Sequence, residues 1–175
     1  MLIVAHSMKE LSFPSLMEVY AQGNRENGAY FYPDLTPERQ QALAEEDFRD
    51  YLSQVFFQGE HPAYLILTKE GRYVSALRLE DYEDGVLLEA LETAPGQRRK
   101  GYASELLRQT INYLQDRGPL RLYSHVAKKN TASMKTHLSC GFRQYLDYAR
   151  YIDGTVSQNT VTLVLEIFEI LKEIT

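Results

Sequence analysis

The chain has one cysteine in 175 residues. A lone thiol closes no internal disulfide, and the expectation that follows is an intracellular protein. Signals for other destinations are also missing. Met1 to His6 is too short for the apolar core of a secretory leader, and Lys9-Glu10 follow directly. The longest apolar stretch, near the C-terminus, is broken by Glu166 and Glu169, so no membrane span fits. Metal-ligand spacing is absent too, because histidines 6, 61, 125 and 137 are scattered and Cys140 stands alone. Basic charge is in short supply: 19 Lys and Arg against 24 Asp and Glu leave a net charge of −5. That balance argues against broad binding to a nucleic-acid backbone, which needs a basic face. No internal repeat is visible. What remains, 44% hydrophobic and 25% charged residues, is the composition of a globular chain, and residues 1–175 suit a single domain.

Local pattern then divides the chain. Leu2 to Ala5 suits a first strand, and Phe13-Pro14-Ser15-Leu16 opens a short helix reaching about Tyr20. Residues 23–35 carry Gly23, Asn24, Asn27, Gly28, Pro33 and Asp34, which reads as a loop. Its aromatics, Tyr30-Phe31-Tyr32, either line a pocket or fold back onto the core. Thr36-Pro37 is a helix start, with Thr36 as N-cap and Pro37 in the first helical position, and an apolar stripe runs on to Gly59. Ala63 to Thr68 and Tyr73 to Leu79 are strands joined around Glu70-Gly71. An acidic turn from Asp81 to Gly85, either a lure for a cationic substrate or a solvated hairpin, leads into a strand from Val86 to Thr93. A helix with apolar residues at Ala103, Leu106, Leu107, Thr110, Ile111 and Leu114 stops at Gly118-Pro119. Leu120 to His125 is a strand, and Asn130-Thr131 caps a short helix ending at Gly141. Arg143 to Ile152 and Val161 to Phe168 close the chain as two strands linked through Asp153-Gly154. The crossover between the strands at 86 and 120 permits a parallel pair, while the short turns demand antiparallel ones. The fold class expected is a mixed α/β sheet with helices on its faces.

Between the strand at 86–93 and the helix from Ala103 lies Arg98-Arg99-Lys100-Gly101-Tyr102-Ala103. The first N–H groups of a helix lack internal partners, and the helix dipole adds partial positive charge there. Three cationic side chains strengthen that field, and Gly101 lets an anion approach the backbone. The turn reads as a diphosphate site or as a solvated basic turn. A nucleotide-binding phosphate loop fits poorly, because no Lys-Ser/Thr pair follows the glycine.

The element order, with this turn between the fourth strand and third helix, resembles the GNAT superfamily of N-acetyltransferases. The family's acyl-CoA motif is met by Arg98, Gly101 and Ala103, with Pro95 upstream and a Leu-Leu pair in the helix that follows. A second block, Asn130, Ser133 and Gly141-Phe142, resembles the family's fourth-helix pattern. The likeness covers about residues 63–168. It implies a mostly antiparallel sheet of about seven strands, splayed between strands 4 and 5. It also implies acetyl-CoA as donor, with the pyrophosphate on the amides of Arg99, Lys100, Gly101, Tyr102 and Ala103. The pantetheine arm would lie along Leu91 and Thr93, and Asn130 and Ser133 would contact the cofactor, although Asn130 can equally be a plain helix cap.

An amine acceptor must lose a proton before it attacks. Glu89 is the candidate base: it sits in an apolar strand with the side-chain parity of Leu87, Leu91 and Thr93. It can also serve by binding a backbone group or cation without proton transfer. Glu92 has the opposite parity and is expected exposed or paired. The family's usual tyrosine, which protonates the leaving thiolate, is replaced by His137, either an acid or a structural histidine. His125 can contact pantetheine or substrate, or be a partly buried, hydrogen-bonded side chain. Cys140 is expected to pack at its helix end. The function expected is acetyl transfer from acetyl-CoA to a primary amine, of a small molecule or a peptide, by direct attack in a ternary complex. The alternative is a non-catalytic acyl-CoA sensor. Neither metal, nucleic acid nor membrane is an expected partner, and the closing strands can pair with a second subunit.

Overall fold

The computed structural model describes residues 1–168. Its main sheet has seven strands in the hydrogen-bonded order β1-β2-β3-β4-β5-β9-β6. These are β1 (Leu2–Ala5), β2 (Ala63–Lys69), β3 (Arg72–Tyr82), β4 (Gly85–Thr93), β5 (Leu120–Ala127), β6 (Arg143–Leu146) and β9 (Thr160–Ile167). The pair β4–β5 is parallel, and β1–β2, β5–β9 and β6–β9 are antiparallel. Five α-helices complete the frame: α1 (Phe13–Val19), α2 (Ala21–Phe31), α3 (Pro37–Gln54), α4 (Tyr102–Gln115) and α5 (Thr131–Ser139). Among the described residues no helix is long and apolar enough to cross a membrane.

The chain forms two compact units. One takes residues up to Arg78 together with Ala90–Tyr102. In it β2 is buried continuously from Ala63 to Thr68, the mark of a strand covered on both faces. Leu16, Tyr20, Leu52, Phe56, Tyr64 and Ile66 form its core. Thr36 caps α3 by accepting from the Arg39 N–H at 3.4 Å, and Pro37 follows, as expected.

The loop expected over 23–35 is instead largely helix α2. Its glycines were the misleading residues, and they do different things. A Cβ on Gly28 would lie 2.5 Å from the Gln40 carbonyl oxygen, so this glycine permits the close approach of α2 to α3. Gly23 meets nothing within 4 Å. Asn24, buried, donates to the Met17 sulfur at 3.3 Å, and Gln40 Nε2 donates to the Tyr32 carbonyl at 2.9 Å, closing the end of α2. Tertiary packing thus overrides weak helix propensity. Tyr30 and Phe31 do not fold onto the core: they are 78% and 65% exposed.

The second unit takes Leu79–Glu89 and the chain from Ala103. The predicted stripe of α4 is inward, with Leu106, Leu107, Thr110 and Leu114 buried, each leucine contributing roughly 1.5–3 kcal/mol. β5 and β9 pair along their full length, from Leu120↔Ile167 to Ala127↔Thr160. The strand expected over 143–152 is two pieces. β6 joins the main sheet, while β7 (Ala149–Arg150) pairs with β8 (Val156–Ser157) in a separate ribbon around the Asp153-Gly154 turn. Asp153 fixes that turn by accepting from the N–H and hydroxyl of Thr155 at 2.9 and 2.7 Å, which ends the strand early.

Candidate functional site

The basic turn follows a 3-10 turn at Pro95–Gln97. Arg99 and Gly101 are both left-handed, with φ of 61° and 80°. For arginine this conformation costs about 1–2 kcal/mol. Left-handed residues are the backbone element from which anion-binding concavities are built, and the space a Cβ would take at Gly101 is open to 4 Å. The three cations do not act alike. Arg98 is folded back, its Nε donating to the Thr93 carbonyl (3.3 Å), one Nη to Gln22 Oε1 (2.6 Å) and the other 3.7 Å from Glu92. It therefore fastens the turn to β4 and α2. Lys100 donates to Gln97 Oε1 at 2.8 Å, and Arg99 is exposed. The Lys69 ammonium lies over the Tyr102 ring, 5.5 Å from its centroid.

β4 carries a kink that its sequence does not announce. Ala90 has φ of 51°, and its carbonyl accepts from the buried Tyr20 hydroxyl at 2.7 Å. A left-handed residue interrupts the alternation of a strand, so the parity linking Leu87 and Glu89 does not extend to Leu91 and Thr93. Beyond the kink, Ser75 donates to the Glu92 carbonyl at 2.6 Å and lies 3.1 Å from the Thr93 hydroxyl. Glu89, Leu91 and Thr93 are half-buried. Burial raises the Glu92 carboxyl above its ordinary range, with the Arg98 charge opposing. Glu92 is thus paired, as expected.

In the other unit Asn130 is the N-cap of α5, its Oδ1 accepting from the Ser133 N–H at 3.1 Å. His137 is 1% exposed. Its Nε2 is 2.9 Å from Ser124 Oγ, and its Nδ1 is 2.8 Å from the Ser133 carbonyl and 3.3 Å from Ser133 Oγ. The Phe142 ring packs edge-on at 5.1 Å. Burial pushes its pKa down, partly offset by the bond to Ser133. Proton donation to a sulfur would require breaking one of these bonds. Cys140 caps the same helix and its sulfur lies 3.8 Å from the Ser104 carbonyl.

Three features escaped the sequence. His125 makes no hydrogen bond from either ring nitrogen, contrary to the hydrogen-bonded alternative, and sits between the rings of Tyr82 and Tyr151. A cleft of about 490 Å³ is lined by Tyr82, Tyr123, Tyr145 and Tyr148 with Asp84, Arg121 and Arg150 among its other walls. Asp84 accepts from the Tyr123 hydroxyl at 2.6 Å and pairs with Arg121 at 3.0 Å, which hold it below the usual carboxylate range. Of the acids in this turn, Asp84 is therefore neutralised from within. The odd-numbered polar and aromatic residues Arg121, Tyr123 and His125 share one face of β5, and that period-two pattern was the available signal.

Comparison with known proteins agrees with this architecture. The Acetyltransferase (GNAT) family profile matches residues 28–142. The chain is 28% identical over 109 residues to an aminoglycoside N(6')-acetyltransferase type 1 of Serratia marcescens, covering 57% of this chain and 74% of that protein. It is 31% identical over 111 residues to the [ribosomal protein bS18]-alanine N-acetyltransferase of Haemophilus ducreyi, covering 62% and 76%. In fold it resembles the ribosomal-protein-S18-alanine N-acetyltransferase of Escherichia coli, with a TM-score of 0.60 at 21% identity over 100% of this chain and 99% of that one. It also resembles the PaiA N-acetyltransferase of Thermoplasma acidophilum, solved with coenzyme A, with a TM-score of 0.59 at 14% identity over 94% and 98%. The profile spans most of the chain and both units contribute to the matched segment, so this chain belongs to the GNAT family of acetyltransferases.

Proposed function

We propose that the protein transfers an acetyl group from acetyl-CoA to the primary amine of a small molecule by direct attack. The observation that carries the donor assignment is the turn at 98–103: two left-handed residues, open space at Gly101, and a helix N-terminus directly following. The amides of Arg99 to Ala103 hold the pyrophosphate, and the backbone at Leu91 and Thr93 pairs with the pantetheine arm. Acetyl-CoA supplies the activated thioester. As the amine nitrogen bonds to the acetyl carbon, the carbon–sulfur bond breaks, the thiolate leaves, and the amine proton passes to Glu89. N–H groups beyond the Ala90 kink face the developing oxyanion, each worth about 3 kcal/mol when preorganised. His137, with both nitrogens engaged, orients α5 through Ser124 and Ser133. Both curated relatives are named as acetyltransferases of amines, one of an aminoglycoside and one of a protein's alanine. The abundance of tyrosine in the chain, 13 residues, favours the smaller acceptor.

A free-thiol assay over a panel of amines, including aminoglycosides, polyamines and alanyl peptides, tests this. Multiple-turnover CoA release with a small amine is the expected result. Release only with alanyl peptides would overturn the acceptor class. Tight binding of acetyl-CoA with no release from any amine would favour the sensor reading, which the fully engaged His137 keeps in view.

A further inference from the structure

Among the described residues, His125 alone has two buried side-chain polar atoms without a hydrogen-bond partner, its Nδ1 and Nε2. A neutral imidazole carries one donor and one acceptor, and buried polar groups in folded proteins are almost always paired. Its surroundings offer nothing. The Tyr82 and Tyr151 rings stand edge-on to it at 5.5 and 5.3 Å. Their hydroxyls are engaged elsewhere, Tyr82 donating to the Arg150 carbonyl at 2.6 Å and Tyr151 lying 3.4 Å from Thr160 Oγ1. Across the ladder His125 is in register with Thr162, whose hydroxyl donates to the Tyr148 carbonyl at 2.8 Å. The ring is thus held in place but chemically unanswered.

Its position on β5 is informative. The described parallel register between β4 and β5 ends at Leu88↔Ser124. The next residues along the two strands are Glu89 and His125.

We propose that His125 is an acceptor-binding residue: an N–H of the substrate's primary amine donates to an unprotonated ring nitrogen, and Glu89 supplies the opposing carboxylate. Burial alone holds the imidazole below its ordinary pKa, which keeps a lone pair available at neutral pH. The Tyr82 and Tyr151 rings pack against it, and burial raises the Tyr82 hydroxyl above its ordinary range. The assignment rests on the acetyltransferase reading and names the group that the acceptor must present, a primary amine.

The test follows the histidine side-chain nitrogens of the whole chain by NMR while butylamine is added to saturation, with butanol as an isosteric control. Butylamine, and not butanol, should shift the His125 signals and leave those of His137 in place. In kinetics His125→Phe, which preserves ring packing against both tyrosines, should raise the amine KM roughly tenfold or more, the size of a lost hydrogen bond to a charged group. Its acetyl-CoA affinity should stay within about twofold of the parent, and His125→Gln should recover part of the loss. An unmoved His125 signal, or one moved equally by butanol or by acetyl-CoA alone, overturns the assignment. So does an unchanged amine KM in a folded His125→Phe protein. Because the NMR arm needs no turnover, a chain that binds butylamine at His125 yet releases no CoA with butylamine or any amine of the panel would sink the acetyltransferase reading and keep this one.

Discussion

Two glutamates three residues apart on β4 show how far a single side chain can be read without its neighbours. Alternation points to Glu89, and alternation is interrupted at Ala90, where φ is 51°. Burial raises the Glu92 carboxyl, and its pairing with Arg98 at 3.7 Å joins residues six apart through a turn. Kinetics separate the two: Glu89→Gln should lower kcat by about 10²–10⁴ with little change in acetyl-CoA KM, the usual loss on removing a general base. Glu92→Gln should leave kcat within about tenfold of the parent, since it loses a half-exposed ion pair rather than the base. His137 was legible as a position, seven residues after Asn130, and its burial was not, because Ser124 and Phe142 come from elsewhere in the chain. Its folded pKa lies below the ordinary value, so the unfolded chain takes up the proton first. Stability from this residue is complete above about pH 6.5 and falls as pH drops through its depressed pKa, by up to about 1.4 kcal/mol per pH unit. Urea midpoints measured between about pH 5 and pH 7.5 should show that slope, and His137→Gln should reduce it, the remainder coming from His125, which burial lowers in the same sense.

At the scale of elements, most boundaries followed from local chemistry: Thr36-Pro37, Glu70-Gly71, Gly118-Pro119 and Asn130 all punctuate the chain where their residue types predict. α2 did not, because glycine has two uses and sequence does not distinguish them. Gly28 is present for close approach, whereas Gly23 sits in a helix with open space around it. Opposite signs are therefore expected from the same substitution. Gly28→Ala should destabilise by about 1–3 kcal/mol, since its methyl group meets backbone. Gly23→Ala should stabilise by about 0.5–1 kcal/mol, as alanine loses less conformational freedom in a helix. Denaturant midpoints of the two variants decide this, and equal shifts would refute the packing explanation. The division of residues 143–152 into β6 and β7 was likewise invisible, because that stretch carries neither glycine nor proline to mark the break.

For the molecule as a whole, the mixed sheet and its parallel pair β4–β5 were within reach of turn lengths and crossover length, and the family likeness added the count of strands. The acceptor side was not within reach, because the tyrosine cleft and the His125 cage draw on β3, β5 and the segment after β7. Stability should also be unevenly distributed. β2, buried continuously from Ala63 to Thr68, and the eight-pair ladder of β5 with β9 should hold the slowest-exchanging amides. The β7–β8 ribbon, with two register pairs, should exchange faster by orders of magnitude. Hydrogen-exchange mass spectrometry resolves these segments directly.

The chain contains 13 tyrosines and no tryptophan, so its intrinsic ultraviolet emission is tyrosine emission throughout. Two of those tyrosines, 82 and 151, hold His125 between their edges. A tryptophan introduced by Tyr151→Trp would be the sole indole in the protein, beside the imidazole, and excited at wavelengths where tyrosine absorbs little its colour and lifetime would report local occupancy. A chain without native tryptophan thus makes the proposed acceptor seat optically addressable.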